Sequence, residues 1–229
     1  MKTKKYKIAA ILGLNCGLEV YRLLRSIKDI ELISVSVLNP KLCKNIAGYI
    51  DLSAFISPAI FSYYKNMGDV FNNLKGINNI DMVIAVGISD IIPKKIINLP
   101  KVGVLGAHAA KLPDRPGSSP IIWAILDNLK ETEMTIFKME ESIDSGVIYA
   151  SKKIKILPDT NSEYLRKKMD KALIYLIKKN IIEILSGKNI GIKQIGKRNY
   201  TRRRNLKDGQ LNLYDDSEQI IRKIRALNA

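Results

Sequence analysis

Four short apolar runs limit what this chain can fold into: Lys7-Ile8-Ala9-Ala10-Ile11-Leu12, Leu32-Ile33-Ser34-Val35-Ser36-Val37-Leu38, Met82-Val83-Ile84-Ala85-Val86 and Val102-Gly103-Val104-Leu105. A strand with one wet face alternates apolar and polar residues, whereas a strand buried on both faces reads as a nearly continuous hydrophobic run. Helical spacing separates the runs: Leu18, Tyr21, Leu24 and Ile27 mark one face of a first helix, and Val70, Phe71 and Leu74 suggest another. The alternation predicts an α/β fold, Rossmann-like and doubly wound around a mostly parallel sheet. Such sheets bind ligands beyond the carboxyl ends of their strands, and Gly87 and Gly106 directly follow two of those ends.

Further along, Pro120 to Asn128 reads as a helix, and Glu133 to Met139 and Val147 to Ile156 read as strands. Thr160-Asn161-Ser162-Glu163 has the form of a capping box; Leu165, Met169, Ala172 and Leu176 form the stripe of the long helix behind it, with Gly187 as its stop. The expected organisation is a Rossmann-like domain over 1–187 and a small C-terminal appendix over 188–229, extended to Asp216 and closed by a helix over Ser217 to Leu227. Between residues 41 and 80 little else is legible. Gly13-Leu14-Asn15-Cys16-Gly17 lacks the G-x-G-x-x-G spacing of a dinucleotide site and reads as a strand-to-helix turn.

A chain of 229 residues, 46% hydrophobic and 26% charged, is that of a globular protein able to bury a sizeable core. No apolar run approaches the roughly 18 residues of a membrane span, and the opening Met1 to Tyr6 leads straight into a strand, so a cytoplasmic location is expected. Cys16 and Cys43 fit no metal spacing and are expected to be reduced thiols; no metal site is predicted. The net charge of +16 is compatible with nucleic acid, an acidic membrane surface or a phosphorylated small substrate. Most of the excess is scattered lysine. Arg198, Arg202, Arg203, Arg204 and Lys207 cluster and could bind phosphate, while Tyr200 among them is thin evidence for base stacking.

His108 is the only histidine, on a loop directly after the fourth apolar run. An imidazole there can accept, donate or share a proton near neutral pH. It lies in Gly106-Ala107-His108-Ala109-Ala110-Lys111-Leu112-Pro113. Gly117-Ser118-Ser119-Pro120-Ile121-Ile122-Trp123-Ala124 follows, then Asp144-Ser145-Gly146-Val147-Ile148. This ordered series resembles the formyltransferase family, whose members move a formyl group from N10-formyltetrahydrofolate to an amine. Ala85 to Pro93 looks like the family's folate-binding loop, and Tyr200-Thr201-Arg202-Arg203 through Ile224-Arg225-Ala226-Leu227 looks like its closing segment.

The resemblance implies catalytic roles for His108 and Asp144. It implies contacts to the folate from Val86, Gly87, Ile88, Ile91, Ile92, Pro93, Met139, Ile143 and Asp144, and to the acceptor from Lys111, Arg115, Gly117, Ser118 and Ser119. At one catalytic position the pattern breaks. Where the family has an asparagine, two residues before the histidine, this chain has Gly106. A backbone N–H or water could replace the lost amide, another side chain such as Asn15 could reach in, or the activity could be slow or altered. The family's arginine before the glycine is also displaced by one residue, to Arg115. No counterpart of the RNA-binding domain of methionyl-tRNA formyltransferases follows Ala229, so the resemblance leans toward sugar N-formyltransferases, with an amino-sugar nucleotide as acceptor. Membrane and nucleic-acid partners are disfavoured and a homodimer is compatible. Hydrolysis of the formyl donor, or a silent folate- or RNA-binding homologue, are the rival readings.

Overall fold

In the computed structural model, which describes residues 5–43, 46, 48–212 and 214–227, the four apolar runs pair with one another as the middle of a single sheet. They are β1 (Tyr6–Leu12), β2 (Ile30–Leu38), β4 (Met82–Val86) and β5 (Gly103–His108), joined by β3 (Phe61–Tyr64), β6 (Glu131–Lys138) and β7 (Ile148–Lys155) in the order β3-β2-β1-β4-β5-β6-β7. The first five strands in that order run parallel, and β6 runs antiparallel to both its neighbours, β5 and β7. Successive side chains of β1 feed two separate cores. Ile8, Ala10 and Leu12 pack on one face and Ala9 and Ile11 on the other, which is why the run shows no polar alternation.

Helix α1 (Leu14–Ser26) and the long α5 (Ser162–Leu185) cover the first face, and α2 (Met67–Lys75) and α3 (Lys94–Ile97) the second. The predicted stripe of α5 is buried throughout, with Leu165, Met169, Ala172 and Leu176 at most 3% exposed. Truncating such a leucine to alanine costs about 2–5 kcal/mol. Two helices near the site, α4 (Pro120–Leu126) and α6 (Ser217–Leu227), pack on each other.

The structure corrects three local readings. His108 is the last residue of β5 and not part of a loop, because pairing with Thr135 of β6 prolongs the strand beyond its apolar run. The cap of α5 is Asn161, whose side chain accepts from the Tyr164 N–H, while the Thr160 hydroxyl accepts from Leu157 N and closes the preceding turn. The four-residue β3 lies in the stretch that carried little signal. Met1 to Lys4, part of the opening reading, lie outside the described residues. Among the described residues no helix is long and apolar enough to cross a membrane.

Candidate active site

Strand β5 delivers His108 to the carboxyl end of the sheet, where its side chain is 7% exposed. Nε2 lies 2.8 Å from the carbonyl oxygen of Arg115, in the turn that follows the strand. Nδ1 faces Asp144, 3.5 Å from Oδ2. Asp144 stands between β6 and β7 with φ of 50°, a left-handed conformation that aspartate tolerates better than most residues. Its Oδ2 also accepts the Gly117 N–H at 2.9 Å. The two loops are thus laced through the predicted pair.

Two glycines make this lacing sterically feasible. A Cβ on Gly146 would overlap the Lys138 carbonyl oxygen, so the chain two residues after Asp144 can pass β6 only without a side chain. Gly117 has φ of 114°, and a Cβ there would overlap the Thr201 carbonyl oxygen.

A carbonyl can only accept, so the His108–Arg115 contact fixes a proton on Nε2. A proton on Nδ1 then points at the Asp144 carboxylate; without it, lone pairs face each other across the 3.5 Å gap. The pair is therefore built to hold and exchange a proton, the arrangement general acid–base chemistry needs. Among the described residues the Asp144 carboxylate accepts its hydrogen bond through Oδ2, leaving Oδ1 free to take another.

At Gly106, where the resemblance implies an asparagine, the structure shows what fills the space of a side chain. An ideal Cβ on Gly106 would lie 2.7 Å from Met139 Cγ, 3.1 Å from its Sδ and 3.2 Å from its Cε. The Met139 thioether fills that space, and sulfur offers no donor to a developing negative charge. Asn15 is exposed at the start of α1 and makes no hydrogen bond with this region.

The remaining predicted residues fall on three segments around the pair. Val86 ends β4; Gly87 follows at φ of 70°; Ile92 is buried at 4% and Ile91 is 69% exposed before Pro93 caps α3. Ile88 is half-buried, and Ile143 is 47% exposed beside Asp144. Lys111 is exposed, and Ser118 and Ser119 share a hydroxyl contact of 3.4 Å at the start of α4. The Arg115 guanidinium pairs with Asp127 at the far end of α4, so what this residue presents to His108 is its main chain.

Sequence reasoning gave the stretch after Gly187 a phosphate-binding cluster and a closing segment but no contact with the His108–Asp144 pair, yet it crosses both loops. Gln194 Nε2 donates to the carbonyls of Asp144 at 2.9 Å and Gly146 at 2.8 Å. Arg198 donates to the Ile143 carbonyl, Asn199 binds Asp114 and Thr201 pairs with Gly117. Trp123 Nε1 donates to the Arg202 carbonyl at 2.9 Å, and the Arg202 guanidinium lies 4.9 Å from that indole ring while binding Asp208. That ion pair holds the Asp208 carboxyl down to about 2. Arg198 and Arg202 are thus engaged and Arg204 is half-buried near Asp208, which leaves Arg203 and Lys207 as the exposed cations of the basic cluster. No local pattern in a polar, glycine-containing stretch signals such contacts.

Beside the switch between β1 and β4, burial, ahead of the nearby Asp170 charge, pushes the Cys16 thiol up to about 12. That thiol is chemically quiet.

Residues 64–178, half of the chain, match the formyl transferase family model. Among curated proteins the chain is similar to the methionyl-tRNA formyltransferase of Prochlorococcus marinus (strain MIT 9515), 34% identical over 155 residues, which are 64% of this chain and 47% of that protein. The chain spans about half the length of the curated relatives it matches. Among solved structures it is similar to a 4-N formyltransferase from Francisella tularensis, with a TM-score of 0.77 and 21% identity over 97% of this chain and 88% of that one. It is also similar to an N-formyltransferase from Helicobacter canadensis solved with folinic acid and dTDP-3-aminofucose, with a TM-score of 0.74 and 19% identity over 96% of this chain and 80% of that one. At these identities the structural likeness establishes the fold.

Proposed function

This chain belongs to the formyl transferase family, and from that premise we propose that it transfers a formyl group from N10-formyltetrahydrofolate to the amine of an amino sugar carried on a nucleoside diphosphate. The observation that carries the reading is the His108–Asp144 pair, closed by Arg115 O on one side and Gly117 N on the other.

The formyl donor supplies an activated one-carbon unit. The chain's part is to hold the amine, remove its proton and stabilise negative charge on the formyl oxygen. Asp144 accepts the amine proton, directly or through one water, at Oδ1. His108 stabilises the carboxylate through Nδ1 and carries positive charge toward the reacting centre when doubly protonated. The apolar Ile88, Ile91 and Ile143 suit a flat pterin, held beside the main chain of Gly87 to Pro93. With Met139 in place of the amide and both His108 nitrogens engaged, oxyanion stabilisation rests on main-chain N–H groups, with His108 contributing only its charge when doubly protonated. Loss of one such donor costs about 10²–10³ in kcat in enzymes that rely on it, so a modest turnover is expected.

The acceptor class is supported by the structural neighbour solved with folinic acid and dTDP-3-aminofucose, whose match covers 96% of this chain. The test measures tetrahydrofolate release with and without each of a panel of amino-sugar nucleotides. Release that depends on an acceptor, and falls at least about 10²-fold in His108→Ala and Asp144→Asn, is expected. Equal release without any acceptor would replace the transferase by a hydrolase.

A further inference from the structure

From residue 192 to 197 the chain turns outward: Ile192, Lys193, Ile195, Gly196 and Lys197 are exposed, and Gln194 alone is half-buried. Its amide spans the turn that carries Asp144, with Nε2 at 2.9 Å from the Asp144 carbonyl and 2.8 Å from the Gly146 carbonyl. Both partners are acceptors, so the amide orientation is fixed: the NH₂ group must face them. These two carbonyls flank the left-handed Asp144 and the side-chain-free Gly146.

We infer that Gln194 is a positioning residue for the proposed formyl transfer, a forked donor that holds the Asp144 carboxylate in register with His108. Three features make its role more than structural packing. The turn it spans has no other side chain donating to the Asp144 or Gly146 carbonyl among the described residues. The Asp144 Oδ2 that faces His108 also accepts the Gly117 N–H, and Gly117 is itself anchored by Thr201 seven residues beyond Gln194. One continuous strap therefore holds both the main chain of the Asp144 turn and the Gly117 donor to its carboxylate. The 3.5 Å separation from His108 Nδ1 also sits at the long end for a hydrogen bond, so a small rotation of the turn ends the interaction. Misplacing a catalytic group by about 1 Å can cost about 10²-fold.

The inference rests on the transferase reading, and its test keeps the two apart. Gln194→Met preserves length and volume and removes both donors; Gln194→Glu turns an acceptor toward two acceptors. Expected are a fall in kcat of about 10-fold in Gln194→Met and a larger fall in Gln194→Glu, with the KM for formyltetrahydrofolate within about 2-fold of wild type. The sole histidine supplies a readout independent of turnover. In 15N-detected NMR the His108 Nδ1 resonance of Gln194→Met should move toward its position in Asp144→Asn, while the melting temperature holds. Should Gln194→Glu fail to fold, Gln194→Met decides alone. Wild-type kcat with an unmoved Nδ1 resonance in Gln194→Met would overturn the role. Absence of turnover in the wild type with any acceptor would sink the transferase reading, leaving the resonance to judge the positioning.

Discussion

The side chain of Met139 occupies the volume that any side chain at Gly106 would need, its Cγ 2.7 Å from the ideal Cβ position. Glycine and methionine therefore form a complementary pair, and an asparagine at position 106 has to displace the Met139 side chain. Gly106→Asn alone overpacks a buried strand end and should lower stability by about 1–3 kcal/mol and reduce kcat. Gly106→Asn with Met139→Ala should recover the melting temperature and raise kcat above the single variant, by about 10-fold if the amide reaches the formyl oxygen. A wild-type melting temperature in Gly106→Asn would show that Met139 moves aside freely.

The half-buried Cys16 offers a prediction with a definite sign. Its folded thiol titrates near 12 against an ordinary value of 9.0, so the unfolded chain loses this proton first as pH rises. Stability from the group is fully present below pH 9.0 and is lost as pH climbs from there toward 12. At pH 8 Cys16 should resist Ellman's reagent in the folded protein and react on denaturation. Fast labelling of the native Cys16, assigned by peptide mapping, would contradict the shielding of its thiol beside the switch point.

The strand framework was legible because each central strand is buried twice, leaving apolar runs that no helix or loop imitates. The His108, Trp123 and Asp144 segments were legible because their order and spacing are peculiar to one family. Three things were not. β3 is a four-residue edge strand whose Phe61-Ser62-Tyr63-Tyr64 carries no distinctive period. The Met139–Gly106 packing joins residues on different strands, so neither residue type reveals it. The strap contacts of Gln194 and Thr201 bridge 48 to 85 positions through main-chain carbonyls, which leave no trace in side-chain pattern.

The exposed cations Arg203 and Lys207 and the half-buried Arg204 lie just beyond the Thr201 end of the strap. If they recognise the diphosphate of the acceptor, screening over a Debye length of about 8–10 Å should weaken it. The KM for a nucleotide-linked amino sugar should rise between low and moderate salt, and should lie below that of the free amino sugar. Equal KM values at every ionic strength would remove the nucleotide from the acceptor.

The most direct test follows the formyl carbon itself. N10-formyltetrahydrofolate carrying a 13C-labelled formyl group is incubated with the protein and an amino-sugar nucleotide, and the products are read by NMR and mass spectrometry. The account predicts the label in a formamide on the sugar nitrogen, and its disappearance from that product in Asp144→Asn. Label recovered as free formate at the same rate with or without the acceptor would contradict it.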